Sequence, residues 1–274
     1  MDTPILHQRL PEAPWLDPAM RRLPGIRPRP VEEWILRDEA FTGQMALRDT
    51  LIAEERSRVH ELLPGGEAAA RELLDMVLGT LSTDASYQIG AQVVTRPDGR
   101  IVDLDTTLPL VTLGRLVQSD FCILEAGPEG HVMSGAILCF PAGWTLAQKI
   151  GRPLDGIHGP VKSYDADVGR RVQRLFDAIR PDQILWRANA HLYDDPTLFA
   201  PRTEAMPRPY VGLGAAKYVR SERQTLRRLP KTGAVVFGIH TLMVPLAGLT
   251  EEQRAELHRL ETRASVRPEE ASTG

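Results

Sequence analysis

Cysteine is scarce: only Cys122 and Cys139 occur in 274 residues. Two thiols seventeen positions apart exclude a four-cysteine zinc knuckle or an iron–sulfur site held by this chain, and they read as buried thiols in a reducing, cytoplasmic setting. Long apolar runs are missing as well. Nothing approaches the ~20 residues needed to span a bilayer, and the start "MDTPILHQRLPEAPW" lacks the basic-then-apolar layout of a secretion signal, so no membrane partner is expected. An excess of one charge is also lacking: 33 basic and 36 acidic side chains leave a net charge of −3. That balance provides no electrostatic footprint for nucleic acid. Finally, no GxGxxG leading into a helix, no P-loop, no HExxH and no GxSxG is present. The familiar dinucleotide, nucleoside triphosphate, zinc-protease and serine-hydrolase sites are thereby set aside.

What is present is an ordinary globular composition, 42% hydrophobic and 25% charged, in a chain long enough for one large domain or a domain with an extension. Prolines at 4, 11, 14, 18, 24, 28 and 30 forbid long helices there and predict an extended arm over 1–37, pinned by Trp15, Leu16, Leu23 and Ile26. Apolar spacing predicts a helix from Asp38 to Leu63, stopped at Pro64–Gly66, and a second from Glu67 to Leu81. These form an N-terminal helical extension over 38–82. The period then changes. Hairpins are expected around Pro97-Asp98-Gly99 and Gly127–Gly130, with the short helix "PLVTLGRLVQ" between them. Short helical turns separated by Gly and Pro follow, then a helix over Asp165–Ile179, then strands in "QILWRANAHLY", part of "AAKYVRSERQTLRRL" and "GAVVFGIHTLMVPL". Strands that cluster in this way predict an α+β fold, an antiparallel sheet with short helices on one face, spanning 83–248. The remainder, 249–274, reads as a helix capped by Thr250 and Gln253 and a mobile tail.

Polar residues concentrate in three apolar stretches. In "KIGRPLDGIHGPV", Lys149 to Val161, His158 stands among Gly156, Gly159 and Pro160, with Leu154, Ile157 and Val161 near it. An imidazole in that setting can give a neutral nitrogen to a metal in an apolar cleft; without a second ligand at a suitable spacing, a haem, which needs one axial ligand, fits better than zinc. In "VVFGIHTLMV", His240 reads first as a hydrogen-bonded core histidine. In "RSERQTLRRL", Arg220 and Glu222 fall on one side of an extended chain, and Ser221 and Arg223 on the other. An inward arginine there could polarise a ligand or pair with a haem propionate, and Glu222 could bind an amine. Arg187, Asn189 and His191 alternate likewise in "WRANAH", as either a satisfied polar edge or a pocket wall.

The blocks "VQSDFCIL", "CFPAGWTLAQKIGRPLDGIHGPV", "WRANAHLYDDPTLF" and "RSERQTLRRLPKTGAVVFGIHT" resemble the haem-binding alpha subunits of haem-dependent oxidative N-demethylases, the dimethylamine monooxygenase type. The likeness runs from about Asp38 to Pro245. It implies a PAS-like domain carrying haem b, a small amine substrate oxidised with O₂, and electrons from reductase subunits bearing FMN and a 2Fe–2S cluster. By the same resemblance His158 is the proximal iron ligand, with His240 as runner-up. Arg220 and Lys149 join them as cofactor-binding candidates, and Arg223, Glu222 and Asn189 as catalytic ones. The chain departs from the family pattern at Lys162, where proline is usual, and at Ala190, where an aromatic is common. The loss at Ala190 suggests a larger pocket. A haem sensor without turnover, and a non-haem enzyme using the arginines for an anionic substrate, remain the competing readings.

Overall fold

The computed structural model describes residues 3–21, 24–128, 130–158, 166–206 and 209–266. Proline keeps the arm from regular structure, and it contributes one short strand, β1 (Arg27–Arg29). Where proline thins out, helices begin: α1 (Phe41–Glu54), α2 (Arg56–Val59), the short strand β2 (His60–Leu62) and α3 (Glu67–Leu81). The single helix expected over 38–63 is therefore broken. Glu55 leaves the helical basin at φ −120°, and His60–Leu62 pair antiparallel with Gly135–Ile137, so a sheet ladder overrides the local helical spacing.

Next come β3 (Gln88–Ile89), β4 (Val93–Thr95) and β5 (Ile101–Asp103), then α4 (Pro109–Leu116). The three strands make a small separate sheet, turned at Gly99, whose φ of 80° suits glycine. The main body follows as β6 (Asp120–Gly127), β7 (Gly130–Ile137), α5 (Leu154–His158), α6 (Ala166–Ala178), β8 (Ile184–Tyr193), β9 (Tyr218–Arg228), β10 (Val235–Pro245) and the C-terminal α7 (Glu251–Val266). The large sheet has seven strands in the order β1-β8-β9-β10-β6-β7-β2, all antiparallel, so the fold is α+β as expected.

Alternation along the central strands separates two cores. Phe121, Ile123, Ile137 and Val236 face one way and pack with Met45, Ile52, Leu73 and Leu113 of α1, α3 and α4. Cys122, Leu124, Ala136, Val235 and Ile239 face the other way and pack with Leu154, Val168, Val172 and Phe176 of α5 and α6. The short helices expected on one face are thus α5 and α6, while α4 joins the N-terminal helices on the opposite face. At Gly114 a Cβ would stand 2.6 Å from Ile137 and 2.9 Å from Ile52, so α4 reaches the sheet only because no side chain intervenes.

Both cysteines are buried and free, and burial pushes the Cys139 thiol up to about 12. The capping box on α7 forms as read: Gln253 N–H donates to Thr250 Oγ1 at 3.2 Å and Thr250 N–H to Gln253 Oε1 at 3.0 Å. The tail from 267 onward, expected to be mobile, lies outside the described residues. Among the described residues no helix is long and apolar enough to cross a membrane.

One buried ion pair joins the two halves of this architecture. Arg48 of α1 donates to Asp120 at 2.6 Å and to the carbonyls of Gly114, Gln118 and Ser119, while Asp120 also accepts the Cys139 and Phe140 N–H groups at 2.8 Å. Removing one partner strands a charge. Asp120→Ala is expected to lower unfolding free energy by about 3–5 kcal/mol in denaturant titrations. Asp182→Ala, which breaks an exposed pair with Arg180, should change it by less than about 1 kcal/mol.

Candidate functional site

Three adjacent long strands set the geometry. Pairing places Arg187, Gln224 and Ile239 in one row across β8, β9 and β10, Asn189, Glu222 and Thr241 in the next, and His191, Arg220 and Met243 in a third. Cross-strand partners share a face, so the first two rows, with Arg220, line one side of the sheet, while Met243 at the far end packs with the core of the N-terminal helices. The side so lined is the one covered by α5 and α6, and the apolar residues Leu185, Leu226 and Phe237 continue it.

Glu222 stands at the centre, 9% exposed. Its Oε2 accepts from Asn189 Nδ2 at 3.1 Å and Gln224 Nε2 at 3.2 Å, and its Oε1 lies 3.9 Å from Arg220 Nε. Arg220 is fully buried and donates through its terminal nitrogens to the carbonyls of Leu198 at 2.8 Å and Phe140 at 2.6 Å. Yet Arg187 Nε, Asn189 Oδ1, Arg220 Nε and Thr241 Oγ1 are buried without a hydrogen-bond partner. A buried polar atom left unmatched costs about 1–3 kcal/mol. Several on one face, beside an apolar floor, fit a ligand that supplies the missing partners.

Lys149, only 5% exposed, donates to the Ile157 carbonyl at 2.6 Å and to Glu204 at 2.9 Å. It therefore ties down the last turn of α5, one residue before His158. The His158 side chain, with Gly159 and Pro160, lies outside the described residues. Gly156 is part of α5, and a Cβ there would meet only Arg152 and Pro153 at 3.6 Å, so neither a turn nor close packing within the described chain requires a glycine.

Arg223 and His240 are paired with each other across β9 and β10 and point to the opposite side of the sheet. Arg223 donates to the Glu33 carbonyl at 2.6 Å, and burial pushes its pKa down. His240 donates through Nε2 to Asp38 Oδ2 at 2.7 Å, and His7 donates to the same oxygen at 3.0 Å. The Met243 N–H donates to His7 Nδ1 at 3.1 Å, which leaves the proton of His7 on Nε2. Asp38 Oδ1 accepts from Gln118 Nε2 at 2.7 Å and the Ala40 N–H at 3.0 Å. His240 is thus the hydrogen-bonded core histidine of the simpler reading, and the sheet separates it and Arg223 from Glu222, Asn189 and Arg220. Ala190 also faces away, packed with Trp15, Val219 and Leu242. The larger pocket expected from it is not supported, because its side chain is on the wrong side of β8.

The sequence reading passed over His7, just described, and His131. His131 on β7 accepts from Gln173 Nε2 of α6 at 2.9 Å, stands edge-on to Phe176 with centroids 5.2 Å apart, and keeps Nε2 buried without a partner. Burial pushes its pKa down. Its neighbours in sequence are hairpin residues, and its partner is 42 positions away. Only Gly130, where a Cβ would meet Gln173 Oε1 at 2.7 Å, hints at the close approach. Among the described residues no group of three or more His, Cys, Asp or Glu could hold a bare metal ion.

The Asp38 cluster has a definite acid signature. Burial alone would raise its pKa, but the hydrogen bonds and charges of His240 and His7 hold the carboxyl well below the usual carboxylate range. A depressed folded-state pKa contributes stability that is complete above the unfolded value of about 4 and disappears as pH falls below it. Asp38→Asn should therefore lose stability at pH 7 and show a flatter decline below pH 4 than the parent chain, read from denaturant midpoints at each pH.

A family model described as haem-dependent oxidative N-demethylase, alpha subunit-like, matches residues 25–265. The match takes in the whole of the main sheet, the α5 and α6 cover and the polar rows around Glu222. The chain belongs to this haem-dependent oxidative N-demethylase alpha subunit-like family.

Proposed function

We propose that the chain binds haem b on the α5–α6 side of the sheet and, with O₂ and electrons from partner subunits carrying FMN and a 2Fe–2S cluster, removes an N-methyl group from a small amine. The observation that carries this reading is the set of unmatched buried polar atoms around Glu222, next to the apolar floor under α5 and α6. The order β7-β6-β10-β9-β8, which is 2-1-5-4-3 counted along the chain from β6, supports a PAS-like domain with its short helices inserted between the second and third strands.

In this reading His158, at the end of α5, holds the iron, and Lys149 fixes the carbonyl that precedes it. His240 is less suited, since its Nε2 is engaged by Asp38 on the other side of the sheet. The haem, when bound, supplies O₂ activation. The chain's own task is to place the amine. Glu222 presents a carboxylate whose Oε2 is held by Asn189 and Gln224, leaving Oε1 to accept an N–H from a protonated amine. Arg220, anchored by two carbonyls, limits where that oxygen can go. The apolar floor excludes water and gives the N-methyl group a surface to rest on. The products are the shorter amine and formaldehyde.

The purified chain supplied with haem should show a Soret band that shifts on reduction and with CO. A colourless protein would sink the proposal. His158→Ala should abolish or rearrange the spectrum. Glu222→Gln should keep it and lower kcat/KM for dimethylamine by about tenfold or more, followed as formaldehyde release with a chemical or enzymatic reductant. Haem binding with no formaldehyde from any amine would make the chain a haem-binding protein without turnover.

A further inference from the structure

Arg187 is not used by the amine-binding arrangement, and its surroundings are unlike those of the other inward arginines. Arg48 has Asp120 and three carbonyls; Arg96 has Asp49 and Asp98; Arg220 and Arg223 each donate to two carbonyls. Arg227 makes no comparable bonds but lies 4.3 Å from the Trp34 ring centroid. Arg187 has one long bond, 3.3 Å to the neutral amide oxygen of Gln224, and a buried Nε without a partner. Among the described residues it forms no ion pair, and burial pushes its pKa down, an effect that the charge of Glu222 offsets only in part. Its position is informative. It occupies the row between the polar group around Glu222 and the apolar floor of Leu185, Leu226 and Phe237. An anionic substituent on an otherwise apolar molecule lying on that floor would reach it.

We infer that Arg187 is a carboxylate-binding group of this site. The inference rests on the haem and amine reading above and adds a charge to it: the ligands of this face carry an acid group as well as whatever Glu222 receives. Two sources offer that chemistry, a propionate of the porphyrin or a carboxylate on the amine substrate. A guanidinium takes either one through paired N–H donors, and Arg187 Nε and its second terminal nitrogen are the donors available.

The test reconstitutes the full chain with haem and with haem dimethyl ester, whose propionates are capped, and follows both titrations at the Soret band. Turnover of dimethylamine and of N-methylglycine is compared in parallel. If the carboxylate is the porphyrin's, the parent chain favours haem over its diester by about tenfold or more, and Arg187→Gln removes that preference. If it is the substrate's, the porphyrin ratio is unchanged, and the kcat/KM preference for N-methylglycine over dimethylamine falls by about tenfold in Arg187→Gln. Arg187→Lys keeps the charge without the fork and should retain part of either preference; it also serves as the readout if the glutamine variant does not fold. Both ratios unchanged in the variants, with a normal Soret band, would overturn the inference and leave the haem reading standing. No Soret band with either porphyrin would overturn both.

Discussion

The register of β8, β9 and β10 is the constraint from which the rest of the molecule follows. Eleven residues of β9 pair in sequence with β10, and nine of them also pair with β8, without a register break. Because side chains alternate across a strand, that register assigns each polar residue of "WRANAH" and "RSERQ" to one of two sides. One residue of slip would exchange Glu222 with Arg223 and Asn189 with Ala188, turning the site inside out. The two cores oppose such a slip, since it would also move Val235, Ile239 and Leu226 away from α5 and α6.

Both sides of the sheet bury polar groups. On the side of the N-terminal helices, Asp38 accepts from His7, His240, Gln118 and the Ala40 N–H, and Arg48 is matched with Asp120, while His240 Nδ1, Trp34 Nε1 and Arg227 Nε are buried without a partner. These networks join segments far apart in sequence, among them the arm, α1, β6 and β10, and an unmatched charge in any of them would be costly. On the other side Arg187 Nε, Asn189 Oδ1, Arg220 Nε and Thr241 Oγ1 are unmatched around one carboxylate, Glu222. A ligand that supplies the missing partners would offset that cost.

The arm also has a structural role that its prolines do not advertise. His7 bonds to Met243 through backbone and ring, beyond the point where β6 ceases to pair with β10, and Trp15 donates to the Gln253 carbonyl of α7 at 2.9 Å. The first residues of the chain thereby extend the sheet's cover and dock the last helix. His7 and Trp15 lie outside the span matched by the family model, so this fastening comes from residues beyond the matched region.

Much was legible without coordinates. Period-two alternation in "RSERQTLRR" and "WRANAH" separates Glu222 and Arg220 from Arg223, and groups Arg187, Asn189 and His191, because that period is a property of any extended chain. The helix over Glu67–Leu81, the turn at Gly99 and the Thr250–Gln253 cap were readable for the same local reason. Other features had no local trace. The break after Glu54 depends on β7 offering a ladder to His60–Leu62, and the side taken by Ala190 and His240 depends on which core each face meets. His131 became visible only when α6 placed Gln173 against it. By itself the sequence determined the periodicities, the caps and the family blocks, all set by neighbours a few residues apart. Only the tertiary structure decided which polar atoms find partners, because burial and pairing depend on segments up to 243 residues apart.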